Sequence, residues 1–227
     1  MRKYPHNANT SQRIAYGLDL AAGLDQLPET RPLAAEFGAL NEDLIRARAA
    51  RDPLLVDLSR ARARARFANY GFDDVLRQVA VACEAADGGK RGAVFGAVFP
   101  DNLTCVITPA GENQAKTGEA FLRTFEATGV AGVAAVREAW LPKVTAALTE
   151  LKAALAARDE AVAGLAVARA REEALCEDHE LALERVMGQV RTLFPRRRDL
   201  WDAIFPPAPR APRADADDPV SPEDPAI

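Results

Sequence analysis

Apolar side chains recur at helical spacing along most of the chain. Leu33, Phe37, Leu40 and Leu44 are separated by four, three and four residues, which places them on one side of a helix. A second run holds heptad-like spacing, and it consists of Val144, Leu148, Leu151, Leu155, Val162 and Leu165. We therefore predict an all-α fold, a bundle of long helices.

Several residues interrupt this helical pattern. Pro28 ends a short helix predicted from about residue 10 to 26, and Pro32 suits the first turn of the next one. Asp52-Pro53 favours either the start of a new helix or a kink within a longer one, and both alternatives stay open. Asn69-Tyr70-Gly71 is a plausible turn, because Asn and Gly tolerate positive φ.

Residues 87–113 are the least helical part of the chain. The stretch Leu103–Thr108 is biased toward β-branched side chains, which favours a short strand or an extended segment that covers the bundle. We expect a frayed N-terminus at 1–9, a first helical repeat at 10–100, an irregular connector at 101–113 and a second repeat at 114–206. Residues 207–227 carry six prolines and a charge of −3, which predicts a disordered tail.

The two predicted repeats match each other at a constant offset of 107 in the residue numbering. Residues 50–91 contain 11 identities with the positions at this offset, including Ala61-Arg-Ala-Arg64 against Ala168-Arg-Ala-Arg171. A one-residue shift then aligns Phe99-Pro100 with Phe205-Pro206. Since Ala and Arg are common here, coincidence is the alternative. We predict an internal duplication, with two related helical hairpins packed about a pseudo-twofold axis.

Composition and charge narrow the class of protein. Hydrophobic residues make up 48% of the chain and aromatic residues 6%, and the abundant Ala, Leu, Arg and Glu favour helix. The net charge of −4 is not that of a basic nucleic-acid-binding domain. Three cysteines, no apolar leader and no long apolar run predict a cytoplasmic protein without a membrane span.

An arginine-rich stretch is the first candidate contact site. Residues 46–66 hold seven arginines against Asp52 and Asp57, a local charge of +5. They include the alternating set Arg60, Arg62, Arg64 and Arg66. One hypothesis is a contact with phosphate, nucleic acid or an acidic partner. The alternative, which we favour, is solvated arginines whose stems cover apolar surface.

An acidic stretch offers a counterpart in the second repeat. Residues 172–184 are strongly acidic, and the candidate partner contacts are Glu172, Glu173, Glu177 and Glu180. These carboxylates are expected to meet the arginines within the chain or across a dimer. Reversal of Arg62 and Arg64 to Glu would then change assembly or stability.

No pattern of residues predicts catalysis or a cofactor. Cys176 and His179 stand at i and i+3 on a helix beside Glu180, but two good ligands fall short of the four that zinc needs. We assign no catalytic, cofactor-binding or metal-binding residue. The sequence predicts a non-enzymatic structural or protein-interaction protein that forms a homo-oligomer. An anion-binding helix at 46–66 is the alternative, and a metal-binding or enzymatic bundle comes third.

Overall fold

Helices make up most of the chain, as predicted. The structure is a computed structural model that describes residues 3–207, and it contains no strand in this range. The helices are α1 (Thr10–Asp25), α2 (Arg31–Ala86), α3 (Ala93–Val98), α4 (Leu103–Ile107), α5 (Glu112–Ala127), α6 (Val133–Leu193) and α7 (Arg198–Ile204). The all-α prediction is confirmed.

The described residues divide into two compact units. The terminal unit combines residues 3–55 with 164–207, and the central unit comprises residues 56–163. The terminal unit contains α1 and α7, whereas the central unit contains α3, α4 and α5. Helices α2 and α6 belong to both, so each unit includes parts of both predicted repeats.

Helix α2 runs without a break through both ambiguous sites. Pro53 lies inside it, so a new helix does not begin at Asp52-Pro53. The turn predicted at Asn69-Tyr70-Gly71 is wrong, since these residues are helical too. Ala68 and Phe72 are buried on either side of that tripeptide. Packing of one face against the core therefore overrides the local turn preference.

The core of the terminal unit lies between α1, α7 and the adjoining ends of α2 and α6. Helix α1 begins with a capping box, in which Asn9 and Gln12 each accept from the backbone N–H of the other. Its inner face meets large apolar side chains of the other three helices. The buried set includes Tyr16, Leu20, Leu24, Phe37, Leu183, Val186, Val190, Ile204 and Phe205.

The ends of the chain differ in what can be described. We expected residues 1–9 to be frayed, but Tyr4 is fully buried and Ala8 is also part of the core. Tyr4 packs edge-on against Tyr16, with ring centroids 5.2 Å apart. This apolar contact fastens the segment ahead of α1 to its unit. The predicted disordered tail at 207–227 lies outside the described residues, apart from Pro207.

The central unit is built around a row of four phenylalanines. Phe95, Phe99, Phe121 and Phe125 follow one another, with ring centroids 5.2, 5.1 and 5.6 Å apart. Asp87 positions α3 in this row, because its carboxylate accepts from the backbone N–H groups of three residues near the start of α3. These hydrogen bonds lower the pKa of the Asp87 carboxyl.

The connector does not contain the extended segment that its β-branched residues favour. Leu103–Ile107 forms α4, and the Asn102 side chain accepts from the Leu103 N–H at its start. Leu103, Val106 and Ile107 stand at i, i+3 and i+4 and pack against the core of the central unit. Helical spacing places all three on that core, and this outweighs their preference for strand.

Helices α1 and α5 each have a glycine where they lie close to neighbouring helices. A Cβ at Gly17 of α1 would collide with the Asn41 side chain and stand 2.9 Å from His179 Nε2. A Cβ at Gly118 of α5 would lie 2.7 Å from Phe72 and 2.9 Å from Leu148. These distances are shorter than van der Waals contact allows. Each helix can therefore occupy its position only because the residue there is glycine.

Alanine at either glycine is therefore expected to destabilise the fold. Gly17→Ala and Gly118→Ala should each lower the free energy of unfolding by about 1–2 kcal/mol, because overpacking outweighs the better helix propensity of Ala. Urea unfolding followed by circular dichroism measures the change. Gly71→Ala and Gly164→Ala are the controls, since a Cβ there meets no atom within 4 Å. Both should gain up to about 1 kcal/mol; a gain at Gly17 or Gly118 would contradict the close approach.

Candidate interaction surface

A set of polar side chains, buried except for the half-buried Glu180, lies in the terminal unit, and we call it the polar centre. It consists of Tyr4, Arg13, Asn41, His179 and Glu180. Tyr4, Asn41 and His179 are at most 1% exposed, and Arg13 is 7% exposed. The N-terminal segment, α1, α2 and α6 each contribute at least one of these residues.

The hydrogen bonds of the polar centre form a chain in which each group donates to the next. Arg13 Nη1 donates to the Tyr4 hydroxyl at 3.2 Å, and that hydroxyl lies 2.8 Å from His179 Nδ1. His179 Nε2 lies 3.3 Å from Asn41 Oδ1, and the Asn41 amide donates to the carbonyl of Ile14. We assign the proton of a neutral His179 to Nε2, because Nδ1 must accept from Tyr4.

Charge in the polar centre is balanced between Arg13 and Glu180. Arg13 Nη1 lies 3.4 Å from Glu180 Oε2, and Lys3 Nζ lies 2.8 Å from Glu180 Oε1. The hydrogen bond from Lys3 is the main reason that the pKa of Glu180 falls to about 2. Burial, followed by the nearby Arg13 charge, lowers the pKa of His179 to about 4. His179 is therefore neutral at neutral pH.

A buried carboxylate belongs to Glu172, one of the candidate contacts. Its Oε1 accepts from the Thr10 hydroxyl at 2.5 Å and from Arg51 Nη1 at 3.2 Å. Its Oε2 is 3.1 Å from the same nitrogen but makes no directed hydrogen bond, so the pair there is electrostatic. Glu172 is 4% exposed and contributes to holding α1, α2 and α6 together.

The Cys176–His179 pair is not arranged as a metal site. Both ring nitrogens of His179 have partners within the unit, and Cys176 Sγ lies 3.7 Å from the Thr10 hydroxyl. Within residues 3–207 there is no group of three or more His, Cys, Asp or Glu side chains that could hold a metal ion.

The predicted arginine contacts lie on α2 in the central unit. Arg60, Arg64 and Arg66 are exposed, and Arg62 is half-buried. Arg60 pairs with Asp57 of its own helix at 3.4 Å. Earlier in the stretch 46–66, Arg46 pairs with Glu42 and Asp43, and Arg51 pairs with Asp52 and Glu172. Part of the local positive charge is thus neutralised within the chain.

The predicted acidic contacts separate into two pairs in the terminal unit. Glu172 and Glu180 are engaged with Arg51 and with Lys3 and Arg13, as described above. Glu173 and Glu177 are exposed on α6. Of the four carboxylates, these two are the ones accessible to a partner, and their contact with the arginines stays a prediction.

An apolar stripe on α2 is the most exposed hydrophobic feature of the central unit. Val56, Phe67, Tyr70 and Val81 are 49%, 77%, 64% and 65% exposed. Eleven positions make about three helical turns, so the spacing of eleven, three and eleven keeps them within an arc of about 60°. We call these four residues the α2 stripe. Asp74 lies on the same arc and accepts a hydrogen bond from Gln78.

Two open grooves follow the α2 stripe. The first has a volume of about 350 Å³ and is lined by Arg77, Gln78, Val81, Ala82, Ala85 and Trp140. The second, of about 300 Å³, is lined by Arg66, Phe67 and Tyr70. Apolar surface bordered by arginine is typical of a site that binds protein.

Sequence reasoning missed the aromatic part of this surface and the polar centre. The local sequence favours a turn at Tyr70, and the apolar spacing that predicts the helices belongs to their buried face. The signal that could have found the stripe is the three-turn spacing that recurs from Val56 to Phe67 and from Tyr70 to Val81. No sequence signal links Tyr4 with His179, because they stand near opposite ends of the chain.

Comparison of the chain with protein-family models, with curated proteins and with solved structures found no match. In residues 3–207, no helix has both the length and the apolar character that crossing a bilayer requires.

Acid is expected to destabilise the terminal unit through His179. Because the pKa of His179 is 6.5 in the unfolded chain and about 4 in the fold, the unfolded state binds more protons between these values. The stabilisation is complete above pH 6.5 and is lost as pH falls toward 4. We expect the free energy of unfolding to fall by about 2 kcal/mol from pH 7.5 to pH 5.

Urea titrations at a series of pH values measure this loss. The lowered pKa of Glu180 acts in a separate window, from 4.5 down to about 2. His6→Gln should keep the dependence, because the His6 side chain is 93% exposed. His179→Phe should remove it, and a His179→Phe variant with the wild-type slope would contradict the assignment.

Proposed function

We propose that this protein is a non-enzymatic helical protein that works by binding other protein, in the first place further copies of itself. The α2 stripe is the observation that carries the proposal. Its four large side chains stand in water on one face, and covering such a face stabilises an association. Recognition through regularly spaced side chains on one helix face is a common mode of protein binding.

The polar centre supports a structural role over a catalytic one. Tyr4 and His179 would be a plausible acid–base pair, but both are buried and their polar atoms have partners inside the unit. A reacting group must come within hydrogen-bond reach of the proton that it exchanges. The network instead fixes the N-terminal segment and α1 against the two long helices.

We also propose that the two halves arose by internal duplication. Helices α1 and α5 bury positions that correspond at a constant offset of 101, six residues less than the offset of 107 that relates the long helices. These pairs are Arg13 and Gln114, Gly17 and Gly118, Leu20 and Phe121, and Leu24 and Phe125. Helices α2 and α6 end at Ala86 and Leu193, which are related by the same offset of 107 that the sequence match has.

The surroundings of the two glycines support the same duplication. Gly17 approaches Asn41 and His179, and Gly118 approaches Leu148 and Phe72. The offset of 107 relates Asn41 to Leu148, and it also relates Phe72 to His179. Neither of these two pairs is identical, so they contributed nothing to the sequence match. The polar centre of one unit thus corresponds to an apolar centre in the other.

Self-association is tested by size-exclusion chromatography with light scattering across a wide range of protein concentration, at low and high salt. We expect a defined oligomer without nucleic acid. Phe67→Ala should weaken it at least about tenfold, as loss of a buried aromatic anchor does. Val130→Ala is the control, since Val130 is exposed outside the stripe. A monomer at every concentration contradicts the proposal, and one that releases nucleic acid at high salt favours the anion-binding alternative.

A double-mutant cycle tests whether the apolar pair of the central unit can replace the polar pair of the terminal unit, as corresponding centres require. His179→Phe and Asn41→Leu each strand a polar partner and should each cost about 1–3 kcal/mol of unfolding free energy. Together they reproduce the Phe72–Leu148 contact of the central unit. We therefore expect the double variant to be more stable than the sum of the singles by about 1 kcal/mol or more. Additive losses, measured by urea unfolding, would count against corresponding centres.

A further inference from the structure

A second exposed stripe lies on α6 in the terminal unit, and we call it the α6 stripe. It consists of Val167, Ala170, Ala174 and Leu181, all exposed, with Val167 at 72% and Leu181 at 61%. At about 100° per residue the four lie within an arc of about 60°. Two of its four side chains are alanine, whereas two of the four in the α2 stripe are aromatic.

The charged residues along one edge of the α2 stripe are opposite in sign to those along one edge of the α6 stripe. Arg66 and Arg77 lie along one edge of the α2 stripe, about three helical turns apart. Glu173, Glu177 and Glu184 lie along one edge of the α6 stripe, and the outer two have the same separation. All five are exposed, although Glu184 also accepts a hydrogen bond from Lys3. Asp178 and Arg185 lie toward the other edge of the α6 stripe, so that edge carries both positive and negative charge.

The two edges correspond under the offset of 107 that relates the two halves. Arg66 matches Glu173, and Arg77 matches Glu184. Phe67 and Val81 match Ala174 and Gly188, so large side chains in one half stand where the other half has small ones. The same face of the two halves has therefore diverged in charge and in size, in complementary directions.

We propose that the α2 stripe of one copy docks on the α6 stripe of a second copy. The occupant is a second copy because the chain itself carries the complementary face in both charge and side-chain size. When two helices pack antiparallel, the arginine edge of the α2 stripe lies beside the glutamate edge of the α6 stripe. Arg66 then faces Glu184, and Arg77 faces Glu173, of the other copy. Phe67 and Val81 have the same separation as Val167 and Leu181, so the apolar parts also match, over about 21 Å.

This inference rests on the proposed self-association and names the surface that produces it. Opposite charge at the edges selects the pairing, because like charges facing each other disfavour contact between identical stripes. Large side chains against Ala then allow close approach of the two helices.

A charge exchange tests the pairing. The first variant carries Arg66→Glu with Arg77→Glu, and the second carries Glu173→Arg with Glu184→Arg, the two carboxylates that Arg77 and Arg66 face in this pairing. Each variant by itself should associate at least about tenfold more weakly than the wild type, because the side chains that face each other then have like charges. A mixture of the two variants should regain association as a mixed oligomer, since each docking contact again joins opposite charges. Light scattering with one variant tagged measures both effects.

Matched controls reverse charge away from both stripes. Arg123→Glu on α5 and Glu150→Arg on α6 change exposed side chains of the same types, and neither these variants nor their mixture should alter assembly. If the wild type is monomeric, the proposed function itself is overturned. If the wild type associates but both stripe variants associate equally well, or if their mixture does not recover, the docking surface is overturned and self-association stands.

Discussion

The fold depends on how closely a short helix can approach two long ones. In the terminal unit α1 lies against α2 and α6 at Gly17, and in the central unit α5 lies against the same two helices at Gly118. Side chains at a helix contact normally keep neighbouring axes about 8–10 Å apart, and removing one lets the backbone itself become part of the packed surface. The side chains opposite the glycine then decide what kind of core can form there.

The two units meet this constraint with different chemistry. Opposite Gly118 stand Phe72 and Leu148, which continue the apolar core. Opposite Gly17 stand His179 and Asn41, whose polar atoms are satisfied by Tyr4, by each other and by the Ile14 carbonyl. A buried polar network is stable only when all of its members have partners. Tyr4 supplies one of these partners, which is why the segment ahead of α1 is held in place.

The same difference extends to the surface. The α2 stripe contains two aromatic side chains and is bordered by arginine, whereas the α6 stripe contains two alanines and is bordered by glutamate. A helix face with large side chains and a basic edge is complementary to one with small side chains and an acidic edge, so the two can dock on each other. A protein with one such face would need a separate partner, whereas a chain with both can assemble from a single kind of subunit.

The sequence by itself determined the helical fold class, because helix formation follows from apolar spacing and from residues of high helix propensity. It also predicted the charged stretches 46–66 and 172–184. Only the tertiary structure decided which charges are accessible: Glu172 and Glu180 are engaged within the terminal unit, while Glu173 and Glu177 face water. It also decided that α2 continues past Pro53 and Gly71, that 103–107 is helical, and that Tyr4 is core. In each of these cases contacts between residues distant in sequence outweigh a local preference, and local patterns carry no record of such contacts.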